Sequence, residues 1–343
     1  MKLYVKGGFV DLHVHLREPG FEYKEDIKSG CEAAACGGFT MICCMPNTKP
    51  AIDCREVVEY VKEKASAVKG VSVKVIGAVT KGQMGNELAD IEGMAEAGIC
   101  AISEDGKSVM DSGLLREAMM RAKALGIPYF SHAEDTNLAG LPIGEELIVA
   151  RDIMLAKETG CGLHICHVST EGSAEIIRKA KACGMPVTAE TAPHYFALGE
   201  SDVMGNPNRK MNPPLRTARD VAAIRRALAD GTIDAIATDH APHAKFEKEV
   251  EFEKAPNGVI GLETSFAVSY ACLVKTGVLT ADELIHKMSV RPAEILGVEL
   301  PEDVVVIDLD EEYVIGSAGF RSKSENSPFI GMKACGRVLE GRL

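Results

Sequence analysis

Two histidines separated by one residue, His13 and His15, lie in an apolar segment near the start of the chain. Successive side chains of a β-strand point to opposite faces, so these two imidazoles share a face, and Arg17 continues the same line beyond the strand end. Two imidazoles on one face can bind a single metal ion. The spacing therefore predicts that a metal-dependent active site begins here.

Further histidines and carboxylates follow other apolar, strand-like segments. A lone histidine in a strand is more often a hydrogen-bonded core residue than a ligand, about two times in three. That interpretation weakens when the same residue type recurs at several strand ends. Imidazole nitrogens combined with carboxylate oxygens suit a borderline divalent ion, most simply Zn²⁺. The candidate ligands are His13, His15, Asp105, His132, His167 and Asp239.

Asp239 lies in the tract ATDHAPH (237–243), at the end of the last predicted strand. A carboxylate beside a metal can accept a proton from the attacking water and pass it to a leaving nitrogen, while the metal makes that water nucleophilic near neutral pH. The alternative is that Asp239 only caps a turn, weighed at about one in five. Asp239 is therefore the predicted proton carrier as well as a predicted ligand.

Three other histidines are predicted to be structural. His164 is three residues from His167, so only one of the two can face the barrel centre. His240 directly follows Asp239 and so faces the opposite way, and His286 lies in a helix-like segment far from any strand end.

These residues need a scaffold that brings strand ends together. Short apolar segments alternate with longer segments whose apolar residues recur every three or four positions, which is typical of repeated strand–helix units. Eight repeats, without a G-x-G-x-x-G dinucleotide motif after the first strand, predict a (β/α)8 TIM barrel of the α/β class with its active site at the carboxyl ends of the strands. The predicted strands are 10–16, 41–47, 71–79, 99–103, 128–134, 162–169, 186–192 and 234–241.

The pattern changes near residue 296 to a β-rich tail. We expect the barrel to span residues 8–296 and a small β-rich appendage to be formed by residues 297–343 together with residues 1–7.

Composition limits which classes of partner and which cellular compartment we expect for this protein. The formal net charge of −12 argues against a nucleic-acid partner, so an anionic substrate needs locally placed Arg or Lys. No apolar run approaches the ~20 residues that span a bilayer, and the first residues lack the apolar core of a signal peptide. We therefore expect a cytoplasmic protein without a membrane partner, whose 11 cysteines, lacking any C-x-x-C pair, are reduced.

Six motifs in a fixed order resemble dihydroorotases of the amidohydrolase superfamily, the longer type related to hydantoinases and allantoinases. The resemblance covers nearly the whole chain, from about residue 8 onward. It implies a cyclic amide hydrolase that interconverts N-carbamoyl-L-aspartate and L-dihydroorotate in de novo pyrimidine (UMP) biosynthesis. The motifs are DLHVHLREPG (11–20), MPNT (45–48), SHAED (131–135), HICHVST (164–170), MNPPLR (211–216) and ATDHAPH (237–243).

The resemblance also implies how the metal ligands divide. His13 and His15, completed by Asp239, would bind one zinc ion, and His132 with His167 would bind a second.

Substrate contacts are implied in the same way. Arg17 and Asn47 match the positions that hold the substrate's carboxylate, and the planar fork of Arg suits bidentate pairing with a carboxylate. The remaining substrate contacts match Asn212, His243, Asn257 and Gly258.

One departure from the family pattern concerns the ligand between the two metals. Many members bridge the metals with a carboxylated lysine on the fourth strand, but here Cys100 stands near that position. The motif SEDG supplies Asp105 slightly later, which we assign as the bridging ligand in preference to Glu104 and to Lys107 in the following loop. A carboxylate can bridge two cations, and the number of zinc ions, one or two, stays open.

A second departure concerns the appendage. Family members usually have several tens of residues before the H-x-H motif, which complete a β-sandwich with the C-terminal tail. We expect a reduced appendage here, with a sheet edge or apolar face available to a neighbouring subunit. A homodimer and a complex with aspartate carbamoyltransferase are therefore the protein partners under consideration.

Two alternative functions stay open. A hydantoinase or allantoinase would use the same metal centre on another ring, but would not need Arg17 with Asn47 as a carboxylate clamp. A non-catalytic, dihydroorotase-like scaffold of aspartate carbamoyltransferase would be expected to lack metal ligands, and none is missing here.

Overall fold

Eleven strands form two sheets in the computed structural model, which describes residues 1–316 and 318–339. Eight parallel strands, β2 to β9 in the numbering below, follow one another in chain order around a barrel. The strands are β1 (Lys2–Lys6), β2 (Phe9–Val14), β3 (Phe39–Cys44), β4 (Ser72–Ala78), β5 (Ala101–Ser103), β6 (Tyr129–Ser131), β7 (Leu163–Ile165), β8 (Val187–Thr191), β9 (Ala235–Ile236), β10 (Val304–Val314) and β11 (Lys333–Val338).

The barrel is closed next to the predicted site. Val14 forms an isolated parallel bridge with His240, and the His15 N–H donates to the His240 carbonyl at 2.8 Å. These contacts join the segment after β9 to the end of β2. The predicted TIM barrel is confirmed.

Helices cover the outside of the barrel, and local sequence signals determine where they begin and end. The helix at Ser112–Leu125 begins where the Asp111 carboxylate accepts the N–H groups of Gly113 and Leu114, and it ends where Gly126 adopts a left-handed φ of 73°. The α-helices are α1 (Ile27–Cys36), α2 (Arg55–Ser66), α3 (Ile91–Ala97), α4 (Ser112–Leu125), α5 (Pro142–Thr159), α6 (Glu171–Ala182), α7 (Pro193–Ala197), α8 (Ala218–Ala229), α9 (Lys245–Lys248), α10 (Ser265–Ser269), α11 (Ala281–Ile285) and α12 (Arg291–Leu296).

Single helical turns of other kinds connect these elements. The 3₁₀ turns are Lys81–Gln83, Thr136–Leu138, Glu200–Asp202 and Pro207–Arg209, and the π-helical turns are Tyr270–Val274 and His286–Val290.

The core lies on both sides of the barrel wall. Every residue of β2 and β3 is buried, as expected for parallel strands that pack against helices outside and side chains inside. Inside the barrel, Leu12, Cys43, Ile76 and Phe130 form one apolar cluster. This layer supports the polar residues that follow the strands.

The strands end earlier than the apolar pattern predicted. β9 has only two residues, whereas the pattern covered 234–241, and β7 ends at Ile165 rather than continuing to 169. The backbone leaves the ladder here because His167 and Asp239 adopt left-handed φ values of 37° and 48°. The predicted ligands therefore lie just beyond the strands rather than within them.

The small sheet has the order β1, β10, β11 and is antiparallel. Lys2 pairs with Asp308 and Lys6 with Val304, so the first strand adds to the β-rich tail. We therefore propose that residues 1–7 and 297–343 form one appendage beside a barrel of residues 8–296. Ser317 and residues 340–343 of that segment lie outside the described residues.

Two composition-based expectations concern membranes and thiols. Over residues 1–316 and 318–339, the structure has no helix with both the length and the apolar character to cross a membrane. All 11 cysteines are free thiols.

Candidate active site

Six side chains proposed as metal ligands converge at the carboxyl end of the barrel. His13 belongs to β2, and the other five lie one to three residues after a strand end. All six are buried. The strand that precedes each residue is β2 for His13 and His15, β5 for Asp105, β6 for His132, β7 for His167 and β9 for Asp239.

One group of donor atoms contains His13, His15 and Asp239. The Asp239 Oδ1 atom lies 3.2 Å from His15 Nε2 and 3.5 Å from His13 Nε2. Their donor atoms all lie within 4.8 Å of one another, which is close enough to share one cation.

A second group contains His13, Asp105 and His167, again with all donor atoms within 4.8 Å. His132 adjoins this group, because its Nδ1 atom lies 2.9 Å from His167 Nε2 and 3.5 Å from Asp105 Oδ1. The Asp105 carboxylate touches both groups, with Oδ1 3.1 Å from His13 Nε2 and Oδ2 3.5 Å from His15 Nε2. Its position between the groups is the one that a bridging ligand would need.

The Nδ1 contacts of two histidines turn the Nε2 atom of each ring towards the cluster. His13 Nδ1 lies 3.1 Å from Glu190 Oε1, and His15 Nδ1 lies 2.8 Å from Asn47 Oδ1. Because both partners are acceptors, each Nδ1 carries a proton, and each Nε2 would offer its lone pair when a cation is bound. His13 Nε2 is buried and makes no well-aligned hydrogen bond among the described residues, although Asp105 Oδ1 lies 3.1 Å away. The donor set therefore fits a divalent cation.

The two carboxylates of the cluster are held in their charged form. Burial alone would raise the pKa of Asp239, but His13 and His15 beside it bring the pKa well below its usual range. Asp105 is buried too, and the nearby His13 holds its pKa well below the usual value. Anionic oxygens are the form that binds a cation and accepts a proton.

Glu104 and Lys107, the two alternatives to Asp105 as bridging ligand, do not face the cluster. The Glu104 carboxylate accepts the Thr80 hydroxyl and the N–H groups of Val79 and Thr80, at 3.1 and 3.0 Å for the two N–H groups. Lys107 donates from Nζ to the Gln83 carbonyl at 3.2 Å. Neither side chain is part of the ligand cluster.

A small cavity of about 150 Å³ opens beside the cluster, smaller than the usual range for drug-sized ligands. It is lined by all of the predicted site residues except His13 and His243. Burial lowers the pKa of Arg17 to about 10, so its guanidinium stays charged at neutral pH. The predicted residues that line the cavity are His15, Arg17, Asn47, Asp105, His132, His167, Asn212, Asp239, Asn257 and Gly258.

The two predicted residues outside the lining contact it. His13 lies against Asp239, as described above. His243 Nε2 lies 2.8 Å from the Asn257 carbonyl, and Arg17 donates from Nε to the Pro242 carbonyl at 3.1 Å. The structure thus brings all twelve predicted site residues into one region.

The Asn257–Gly258 backbone approaches the site closely. Gly258 has a φ of 131°, and a Cβ placed there would lie 2.8 Å from the Ala241 Cβ and 3.0 Å from His243 Nε2. Only glycine fits this position without displacing its neighbours.

The site also concentrates backbone strain. Arg17, His167 and Asp239 have φ values of 64°, 37° and 48°, in the left-handed region that non-glycine residues rarely adopt. Such residues cluster at functional sites, where the surrounding structure holds them in place.

The histidines that the sequence assigned to structure lie outside the cluster. His164 Nε2 is 3.1 Å from Glu190 Oε2 and its ring packs on Phe130. His240 Nε2 lies 3.5 Å from Glu25 on the outer side of the barrel wall.

Sequence reasoning missed two residues beside the cluster. Glu190 orients His13. A carboxylate inside an otherwise apolar predicted strand was the signal that could have identified Glu190. His194 in the motif TAPHYF follows β8 and is buried, and its Nε2 has no hydrogen-bond partner among the described residues. Burial lowers the pKa of His194 to about 4, so its imidazole is neutral.

Comparison with known sequences identifies the family. A family model described as dihydro-orotase-like matches residues 2–141. A dihydroorotase of Geotalea daltonii is 48% identical to this chain, covering 99% of it and 87% of its own length. A dihydroorotase of Citrifermentans bemidjiense is also 48% identical, covering 98% of this chain and 85% of its own.

Solved structures share the fold of this chain. An L-hydantoinase (dihydropyrimidinase) of Arthrobacter aurescens has a TM-score of 0.89 and 27% identity, over 98% of this chain and 83% of that chain. A D-hydantoinase (dihydropyrimidinase) of Thermus sp. has a TM-score of 0.86 and 24% identity, over 98% and 82%, and supports the fold alone. With nearly half of its residues identical to dihydroorotases along almost its full length, the chain belongs to the dihydroorotase family of cyclic amide hydrolases.

Proposed function

We propose that the protein catalyses the reversible cyclisation of N-carbamoyl-L-aspartate to L-dihydroorotate plus water, with Zn²⁺ as its metal, in de novo pyrimidine (UMP) biosynthesis. One observation carries the choice of substrate: the charged Arg17 lines the same small cavity as the cluster of histidines and carboxylates. A ring amide that also bears a carboxylate satisfies both features.

The donor set supports zinc as the metal. Four imidazoles and two carboxylates are nitrogen and oxygen ligands of the kind that Zn²⁺ prefers. The donor atoms form two overlapping groups, and we propose one ion or two, of which His13 Nε2 can bind only one. When bound, the cation would polarise the amide carbonyl and make the attacking water more acidic.

Asp239 is proposed to move the proton. Its ionised carboxylate lines the cavity and can accept a proton from the attacking water. The same carboxylate can then deliver that proton to the departing ring nitrogen, and in the direction of ring closure it acts in reverse.

Arg17 and Asn47 are proposed to orient the anionic substrate. The guanidinium supplies charge and a planar pair of N–H donors, which match a carboxylate. This local positive charge is needed because the chain as a whole carries −12. Asn212, His243 and the Asn257–Gly258 backbone complete the proposed substrate contacts.

The pathway role places the proposed reaction in the cytoplasm. The substrate of a dihydroorotase is a small molecule. A homodimer and a complex with aspartate carbamoyltransferase are the proposed protein partners.

An assay of both directions tests the proposal. N-carbamoyl-L-aspartate, L-dihydroorotate, hydantoin and allantoin are each supplied to the purified protein as isolated, after chelation, and after chelation followed by Zn²⁺. We expect turnover of the first two substrates, loss on chelation and recovery with Zn²⁺. A folded, zinc-loaded sample that leaves dihydroorotate unchanged would reject the proposal, and preference for hydantoin or allantoin would replace the substrate.

A further inference from the structure

Lys24 contacts His243 and Glu247 beside the proposed substrate cavity. Its Nζ atom lies 3.3 Å from His243 Nδ1 and 2.9 Å from Glu247 Oε1, and its side chain is only 13% exposed. The ammonium also lies over the rings of Phe21 and Tyr23, 5.4 and 5.5 Å from their centroids. Lys24 is therefore held in one place rather than extended into solvent.

The contacts of His243 assign its tautomer from both ends of the ring. A lysine ammonium can only donate a hydrogen bond, so Nδ1 facing Lys24 must accept and carry no proton. A backbone carbonyl can only accept, so Nε2, which lies 2.8 Å from the Asn257 carbonyl, must donate. Arg17 Nη2 also faces Nε2, and Glu247 Oε2 also faces Nδ1, both at the longer distance of 3.5 Å. The shorter contact at each nitrogen therefore favours a neutral ring with its single proton on Nε2.

Charged neighbours keep a second proton off the ring. Lys24 lies at Nδ1, Arg17 Nη2 lies 3.5 Å from Nε2, and Lys248 adds a further positive charge. Burial and these three cations lower the pKa of His243 to about 2. Among the described residues in contact with the ring, the one anion is Glu247, whose Oε2 lies 3.5 Å from Nδ1 and which favours a proton there.

We propose that Lys24 is a positioning residue that fixes His243 in its Nε2-protonated tautomer, so that His243 holds the Asn257–Gly258 backbone against the substrate cavity. This inference rests on the proposed function in one respect, which is the identity of the substrate that the Asn257–Gly258 backbone contacts. Without Lys24, Glu247 becomes the nearest partner of Nδ1 and draws the proton to that atom. The lone pair left on Nε2 would then face the Asn257 carbonyl oxygen, and the two would repel each other.

Other contacts keep the fold intact when this hydrogen bond is lost. The Gly258 N–H donates to the Lys210 carbonyl at 2.9 Å, and Asn326 donates to the Gly258 carbonyl at 3.1 Å. Loss of Lys24 is therefore expected to shift the cavity lining rather than to unfold the barrel.

Nitrogen-15 NMR of histidine-labelled protein tests the tautomer directly. In the wild-type protein we expect the His243 Nε2 signal to be of the protonated type and the Nδ1 signal of the unprotonated type, with His243→Gln used to assign both. This measurement does not depend on turnover. A wild-type ring protonated on Nδ1, or on both nitrogens, overturns the proposal.

A set of variants tests the role of Lys24. Lys24→Met should move the His243 proton to Nδ1 and should raise KM for dihydroorotate about tenfold, as expected for one disrupted buried hydrogen bond, with a smaller change in kcat. Lys24→Arg keeps a donor-only cation and should restore both signatures. Adding Glu247→Gln to Lys24→Met removes the competing anion and should return the proton to Nε2.

Matched outcomes separate the two proposals. Lys28→Met removes an exposed lysine near the same segment and should change neither signature. An unchanged tautomer in Lys24→Met rejects the role of Lys24 even if dihydroorotate is turned over. Conversely, a wild-type protein with the expected tautomer but without dihydroorotate turnover rejects the proposed function alone.

Discussion

Asp239 combines burial, an ionised carboxylate and contact with two imidazoles. Asp239→Asn keeps the side-chain volume but cannot accept a proton at neutral pH. We expect kcat in both directions to fall by about 10²–10⁴-fold, the usual worth of a positioned acid–base group, and metal affinity to weaken as well. Steady-state kinetics and metal analysis measure the two effects. Asp282→Asn, at an exposed position, is the control, and near-normal turnover by Asp239→Asn would exclude Asp239 as the proton carrier.

Arg17 supplies positive charge in the cavity. Arg17→Ala is expected to weaken substrate binding by roughly 2–5 kcal/mol, because the proposed partner is a desolvated carboxylate. The measurement is KM or inhibition by a carboxylate-bearing product, with Arg219→Ala, an 81% exposed arginine, as control. If Arg17→Ala kept the wild-type KM and kcat, the carboxylate would have to bind elsewhere.

At the scale of elements, one side chain connects two loops at the cavity. Lys248 is buried and donates from Nζ to the carbonyls of Pro207, Lys210 and Pro256, at 3.0, 3.3 and 2.8 Å. Burial lowers the pKa of Lys248 to about 7, and its ammonium form has three donors, one for each of these carbonyls. The loops that it joins lead directly to Asn212 and to the Asn257–Gly258 backbone.

Lys248→Met should therefore loosen both loops while the barrel stays folded. Carbonyls left without a partner cost about 1–3 kcal/mol, which should appear as faster hydrogen exchange at Gly258 and as a higher KM. Hydrogen exchange followed by mass spectrometry resolves the loops from the barrel. Lys245→Met in the same helix removes a lysine that is 72% exposed, and equal exchange in the two variants would contradict the prediction.

The barrel could be predicted from sequence because its strands are apolar on both faces and its helices on one. Strand ends could not be predicted, since they depend on the left-handed backbone of residues such as His167 and Asp239, which the apolar pattern does not encode. The proposed metal ligands could be identified because a histidine directly after an apolar strand is unusual. Glu190 was missed because its role depends on a contact with His13, a residue 177 positions away.

For the molecule as a whole, buried thiols link stability to pH. Burial raises the pKa of Cys31 and Cys44 to about 12 and that of Cys161 to about 11. In the unfolded chain these thiols ionise near pH 8.5, whereas in the folded protein they stay protonated. Above that pH the unfolded state binds fewer protons, so stability falls as pH rises.

The free energy of unfolding should therefore decrease above about pH 8.5, by up to about 1.4 kcal/mol per pH unit for each buried thiol. Urea denaturation between pH 7.5 and 9.5 gives this slope before the tyrosines ionise. Cys161→Ala should make the slope shallower, and Cys183→Ala, at the exposed cysteine, should leave it unchanged. A stability that does not depend on pH over this range would show that the buried thiols do not control it.

The left-handed backbone of Arg17, His167 and Asp239 has a consequence for how this enzyme can evolve. Each such residue costs of order 1–3 kcal/mol that glycine would avoid. Selection for heat tolerance alone would therefore favour glycine at these three positions and remove the side chains that the proposed chemistry needs. Thermal adaptation in this lineage must come from elsewhere in the chain, because the active site holds part of the protein's instability as a condition of its activity.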